Sequence, residues 1–209
     1  LFASTGYGEV VALNTATGAV LWREELDTPV SGAPATDGKA VYVSGRDGSA
    51  WALSASDGKV IWQVVGTPGS TAYVGSAAPT ITDRLVIFPS SGGELMAVLK
   101  IGNGTRVWRT SMAGKRLGRA YALTPDVTGD AVITGNMLIA GTASGRTVAM
   151  EAASGERIWS AGEGALALFG RVHGDAEAAQ RLLARGRERE IFRVRDQVAA
   201  LHQRVGRAF

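Results

Sequence analysis

The sequence predicts an all-β repeat protein, and three observations carry that prediction. First, one pattern occurs four times: a glycine, an alanine four residues on, an apolar residue at five, a glycine at ten and a tryptophan at fourteen. The copies are Gly8, Ala12, Leu13, Gly18, Trp22; then Gly48, Ala52, Leu53, Gly58, Trp62; then Gly145, Ala149, Met150, Gly155, Trp159. A further copy, Gly93, Ala97, Val98, Gly104, Trp108, carries one extra residue before its second glycine. Second, the chain has 28 glycines but only 6 prolines in 209 residues, which is the composition of many tight turns. Third, short alternating apolar runs are bounded by Asp-Gly pairs, the commonest short hairpin signal.

Each copy reads as three strands, shown most clearly by the second. Val41–Ser44 is a strand, Arg46-Asp47-Gly48 a turn, Ala50–Leu53 a second strand, Ser56-Asp57-Gly58 a second turn, and Val60–Val64 a third strand. Asp47 and Asp57 are expected as turn formers, because a short acceptor side chain and a following glycine suit that backbone. A small-residue strand precedes three of the copies, at 31–36, 75–80 and 129–134. Small side chains suit the crowded innermost strand of a radial arrangement. Four strands per unit, with tryptophans 40, 46 and 51 residues apart, make a β-propeller blade. A stacked solenoid is the alternative, and it favours shorter repeats. Four blades are expected at 1–26, 30–66, 74–112 and 127–161, within a 1–164 propeller region. The first lacks its inner strand, since the chain begins Leu1-Phe2-Ala3-Ser4. The repeat tryptophans are expected to cap the neighbouring blade and fill the gap between sheets. Trp51, outside the repeat position, is expected to cover a sheet edge.

The rest of the chain, 165–209, has a different composition. The net charge is +3, but residues 171–209 hold nine arginines against five acids, leaving 13 basic and 14 acidic groups before them. Such a break marks a boundary. Val172, Ala176, Ala179 and Leu183, then Ile191, Val194, Val198, Leu201 and Val205, follow helical spacing. They predict helices over 175–185 and 188–205 that pack on the propeller or a neighbour. The interleaved acids argue against a nucleic-acid face.

Chemistry-bearing constellations are sparse. There is no cysteine, so disulfides, thiol nucleophiles and thiolate metal sites are excluded. The only histidines are His173 and His202, which excludes a histidine-based zinc site or catalytic triad in the propeller. Asp126 and Asp130 lie four apart in a predicted loop, where acid–base work is the lesser reading. Ser90-Ser91-Gly92-Gly93 reads as a hairpin turn, because it lacks the lysine and helix of a phosphate-binding loop. No run of 18 apolar residues exists. The start at Leu1 without methionine is expected to be processed or trimmed.

The stretches VYVSGRDGSAWALSASDGKVIW and VVALNTATGAVLW closely resemble the PQQ-type (quinoprotein-like) propeller repeat. GSAAPT (75–80), SSGGELMAV (90–98) and RLGRAYALTPDVTGDAVITGNML (116–138) resemble the propeller subunit of the bacterial outer-membrane β-barrel assembly machinery, the BamB lipoprotein family. That resemblance, over about residues 1–160, implies an eight-bladed periplasmic propeller associated with the outer membrane through a lipidated cysteine, which this chain lacks. It implies a non-enzymatic scaffold on the periplasmic domains of the barrel-inserting subunit, with no cofactor. Partner contacts would fall on Tyr73 and Val74 before the GSAAPT strand and on Asp126 in the inter-blade loop. Arg116 and Arg119 would supply the charge that the family often carries where Val74 stands. A quinoprotein dehydrogenase remnant and a ligand-sensing propeller module are the alternative readings. The former would need a Ca²⁺ site and a quinone-facing arginine at the centre of a full ring. Four blades would also leave two apolar sheet faces uncovered. Self-association, a closed four-bladed ring, or cover from the 175–205 helices is therefore expected.

Overall fold

The computed structural model describes residues 1–66, 77–90, 92–112, 126–127, 129–143 and 146–161. The predicted 175–185 and 188–205 helices lie outside these residues. The described part is an all-β set of propeller blades, each an antiparallel sheet in simple meander order. Blade 1 has three strands, β1 (Phe2–Ser4), β2 (Glu9–Leu13) and β3 (Val20–Glu25). Blade 2 has four, β4 (Val30–Thr36), β5 (Ala40–Gly45), β6 (Ala50–Ser54) and β7 (Val60–Val64). Blade 3 comprises β8 (Thr80–Ile81), β9 (Leu85–Ser90), β10 (Glu94–Leu99) and β11 (Arg106–Ser111). Blade 4 comprises β12 (Val132–Thr134), β13 (Met137–Gly141), β14 (Thr147–Glu151) and β15 (Arg157–Ala161).

The repeat pattern maps onto one geometry. In every blade the repeat alanine faces the repeat tryptophan across the outer strand pair: Ala12 with Trp22, Ala52 with Trp62, Ala97 with Trp108, Ala149 with Trp159. The register slips immediately after that alanine each time, so a bulge is part of the repeat. Asp47 and Asp57 form turns as expected, their Oδ1 atoms accepting the amides of Ser49 at 2.9 Å and Lys59 at 3.4 Å.

The inner strands of blades 3 and 4 are shorter than the sequence predicts, at Thr80–Ile81 and Val132–Thr134. Their flanking residues bond sideways instead. Ala78 donates its amide to Asp130 Oδ1 at 2.8 Å, and the Thr80 hydroxyl donates to the Ala131 carbonyl at 3.2 Å. The innermost chain thus stitches blade 3 to blade 4.

Side chains alternate between the two faces of each blade, and facing sets form three cores. Val41, Val43, Trp51 and Leu53 of blade 2 pack with Val10 and Trp22 of blade 1. Tyr42, Ala52 and Trp62 on the other face of blade 2 pack with Val86, Phe88, Met96 and Val98 of blade 3. Ile87, Ala97 and Trp108 then pack with Leu138, Ala140, Val148 and Met150 of blade 4. Trp51 corrects the sequence reading: it covers no edge but is 5% exposed in the core between blades 1 and 2, its indole N–H donating to Ser49 Oγ at 2.8 Å.

Three of the repeat tryptophans, Trp22, Trp62 and Trp108, cap the following blade as expected. A Cβ built on Gly58 would lie 2.6 Å from the Trp22 ring, one on Gly104 2.9 Å from Trp62, and one on Gly155 2.5 Å from Trp108. The second repeat glycine is therefore the seat of the preceding blade's indole. Its φ of +70° to +79° at these three positions also needs glycine.

Candidate partner-binding face

The connections between blades and the second-to-third-strand turns of blades 2 to 4 share one end of the blades. Here backbone groups do most of the fastening. The Leu26 amide donates to the Gly8 carbonyl at 2.9 Å, Arg46 to Pro29 at 2.8 Å, and Met112 to Gly93 at 2.7 Å. Gly66 packs so tightly on the Gly48 backbone that a side chain there has no room. In blades 1 to 3 the exit of the outer strand is thereby tied to its own blade's turn before the chain leaves for the next blade, and in blade 2 the Arg46 bond also ties that turn to the entry of the inner strand.

Asp126 is the one predicted contact residue among the described residues, and it is 4% exposed. Its Oδ1 accepts the Gly92 amide at 3.0 Å, in the β9–β10 turn of blade 3. Its carbonyl accepts the Ala143 amide at 2.8 Å, in the β13–β14 turn of blade 4. The adjacent Val127 bridges Thr142. Asp126 thus staples two blades at this face, with its carboxylate turned inward. Asp130 is likewise occupied by an amide, so the two carboxylates act separately as backbone acceptors. Tyr73, Val74, Arg116 and Arg119 lie outside the described residues. Tyr7, in the β1–β2 turn, is 97% exposed.

The opposite end carries two features that sequence reasoning missed. One is a part-buried polar link between blades 2 and 3. Asp37, in the β4–β5 turn, accepts the amides of Lys39 and Ala40 at 3.1 and 3.0 Å and the Tyr42 hydroxyl at 3.1 Å. Lys100 Nζ lies 3.6 Å from the same carboxylate. Burial pushes the Asp37 carboxyl up, but these donors and the lysine charge outweigh it and hold it below its ordinary value. Burial, then the Asp37 charge and hydrogen bond, push the Tyr42 hydroxyl well above its ordinary value. The Thr36-Asp37-Gly38 sequence signals a turn, but nothing local signals a lysine from the next blade.

The second feature is an open groove of about 810 Å³ between blades 3 and 4, floored by Ile81, Leu85, Leu99 and Ile133 and rimmed by Arg84 and Lys100. It opens where the polar link has no counterpart. By register, Asp37 corresponds to Thr82 and Lys100 to Ala152. Among the described residues no group of histidine, aspartate and glutamate could hold a metal ion.

The family model described as outer membrane protein assembly factor BamB matches residues 1–207. The chain belongs to the BamB family. BamB from Bordetella pertussis is 30% identical over 75% of this chain and 40% of its own length. The crystal structure of BamB from Moraxella catarrhalis superposes with a TM-score of 0.59 at 20% identity, covering 77% of this chain and 60% of that one, and supports the fold. The repeat is shared more widely. A quinoprotein ethanol dehydrogenase from Pseudomonas aeruginosa is 27% identical over 62% of this chain, but over only 24% of its own length. The chain spans about two fifths of the length of the BamB relatives it matches.

Proposed function

We propose that this chain is a non-enzymatic scaffold of outer-membrane protein assembly, working in the periplasm at the outer membrane. It binds the periplasmic domains of the barrel-inserting subunit through the face that carries the inter-blade connections. The observation that carries this reading is the family match along the chain, 1–207. The geometry supports it: among the described residues that face is fastened largely by backbone hydrogen bonds, so few of its side chains are spent on holding the blades. Tyr73 and Val74 in one connection, and Arg116 and Arg119 in the other, are the proposed contacts. Asp126 serves them by stapling the second connection to blades 3 and 4. The dehydrogenase reading is weaker, because the tryptophans that carry the likeness are, in blades 1 to 3, committed to packing between blades.

Binding of the purified periplasmic domains, followed by titration calorimetry, tests the proposal. Tyr73→Ala and the paired Arg116→Ala, Arg119→Ala change are each expected to weaken binding at least about tenfold, as central interface residues do. Asp126→Ala should weaken binding and also lower thermal stability. Binding undiminished in all three ends the site assignment. No binding by the parent chain ends the scaffold reading.

A further inference from the structure

The groove of about 810 Å³ takes all its lining residues from blades 3 and 4. It opens at a seam position that, between blades 2 and 3, is spanned by the Asp37–Tyr42–Lys100 link. The counterparts by register are Thr82, Ile87 and Ala152. Thr82 keeps its hydroxyl within its own turn, donating to the Leu85 carbonyl at 3.0 Å. Ala152 offers only a methyl group. The repeat thus places a long tyrosine and a long lysine at one seam and short side chains at the next. Space of this size, apolar with a few polar groups on its rim, is that of a small-ligand site.

Three properties of the lining define an occupant. Ile81, Leu85, Leu99 and Ile133 make the floor aliphatic. Among the described residues no aromatic ring lines it, so a planar ligand has nothing to stack on. Two cations, Arg84 and Lys100, stand against one acid, Asp83. Lys100 is shared with Asp37 at 3.6 Å. Arg84 is exposed, and its guanidinium makes no hydrogen bond or ion pair among the described residues. An alkyl chain that ends in one negative charge meets all three conditions. A peptide laid on the same floor would bring amides that aliphatic side chains cannot satisfy.

We propose that the groove between blades 3 and 4 binds a fatty acid, its alkyl chain on the Ile81–Leu85–Leu99–Ile133 floor and its carboxylate on Arg84. The planar guanidinium pairs with a carboxylate through two parallel N–H donors, which a lysine ammonium cannot do. Lys100 adds positive charge beside it without leaving Asp37.

Titration of the intact chain with decanoate, followed by calorimetry and by methyl NMR, tests this below the micelle concentration. Shifts are expected at the Ile81, Leu85, Leu99 and Ile133 methyls, with a dissociation constant on the order of 100 μM. Octanoate buries two fewer methylenes and should bind about tenfold more weakly. Arg84→Gln alters an exposed side chain, so the fold is kept. It should weaken decanoate about tenfold, the loss of a charge-assisted pair, and leave neutral decanol unchanged. Ala152→Leu fills the groove and should weaken decanoate and decanol alike. No binding of decanoate up to about 1 mM overturns the proposal. So does binding that either variant leaves unchanged, or tighter binding of a capped apolar peptide than of decanoate. Equal shifts at Ile61 and Ile158, which are exposed on other strands, would show adherence to any apolar surface and overturn it too.

Discussion

The seams between blades 2 and 3 and between blades 3 and 4 are built on the same repeat but held differently. In the 3–4 seam the Trp108 indole N–H donates to the Ala152 carbonyl at 3.0 Å, as Trp22 does to Ala55 in the 1–2 seam. In the 2–3 seam the counterpart carbonyl belongs to Lys100, at the head of the turn that carries the extra residue. There the Trp62 indole nitrogen is buried with no hydrogen-bond partner among the described residues. What that seam has instead is an aromatic cluster. Trp62 and Phe88 meet edge to face with centroids 6.0 Å apart, and Tyr42 lies 6.1 and 6.4 Å from the two. It also has the Asp37–Tyr42–Lys100 link. One inserted residue thus costs a hydrogen bond, and aromatic packing with a polar link compensates. The 3–4 seam keeps the hydrogen bond, has small Ala140 where Phe88 has no equal, and is left with a groove.

The largest expected effect tests whether the aromatic cluster carries the 2–3 seam. Phe88→Ala removes a ring that is 1% exposed and touches both partners. Loss of about 3–5 kcal/mol of unfolding free energy is expected in urea titration. Met96→Leu in the same core conserves volume and should cost less than about 1.5 kcal/mol. If Phe88→Ala costs no more than that control, the cluster is not what holds the seam.

A smaller effect separates the two seams directly. Trp108→Phe removes aromatic area and also orphans the Ala152 carbonyl, whereas Trp62→Phe removes the area and a nitrogen that has no partner to lose. The first change should therefore cost about 1–3 kcal/mol more than the second, the penalty of an unmet buried acceptor. Equal costs would mean that the indole bond contributes nothing, and the contrast between the seams would collapse to packing alone.

How much of this was readable beforehand follows from how far each interaction reaches. The strand–turn–strand repeat and its tryptophan are copied four times, so the pattern exposed the propeller blades without any structure, whereas the bulge after the repeat alanine and the glycine seat of the indole emerged only from the strand register and the packing. Asp47 and Asp57 act within two residues of themselves, and local turn chemistry was enough. The Asp37–Lys100 link joins different repeats and uses residues that no other copy shares, so no periodicity could reveal it. Trp51 misled for a related reason. Its position alternates onto the face that meets blade 1, but a single large residue off the repeat position carries no sign of which face is buried. Asp126 was found as a contact candidate, while its inward hydrogen bond to Gly92 depends on a turn in another part of the chain.

The smallest effect concerns the polar link, and its sign differs between acid and alkali. Tyr42 has its hydroxyl pushed up, so its contribution is complete below the ordinary tyrosine value of about 10. It is lost as pH rises above that value, because the unfolded tyrosine ionises first. Asp37 is held down, so its contribution is complete above about 4 and is lost as pH falls through its lower folded value. Tyr42→Phe should remove the alkaline loss and weaken the acid one, since the hydroxyl is one of the donors to Asp37. It should also cost about 1 kcal/mol at neutral pH, one hydrogen bond to a charged group less the gain from a drier ring. Lys100→Met should leave the alkaline limb unchanged and cost no more than about 1 kcal/mol at neutral pH, with the cost shrinking in high salt. The 3.6 Å separation argues for that small value, since it is longer than a charge-assisted hydrogen bond. A larger, salt-insensitive cost would show instead that the lysine stem, packed over the seam, matters more than its charge.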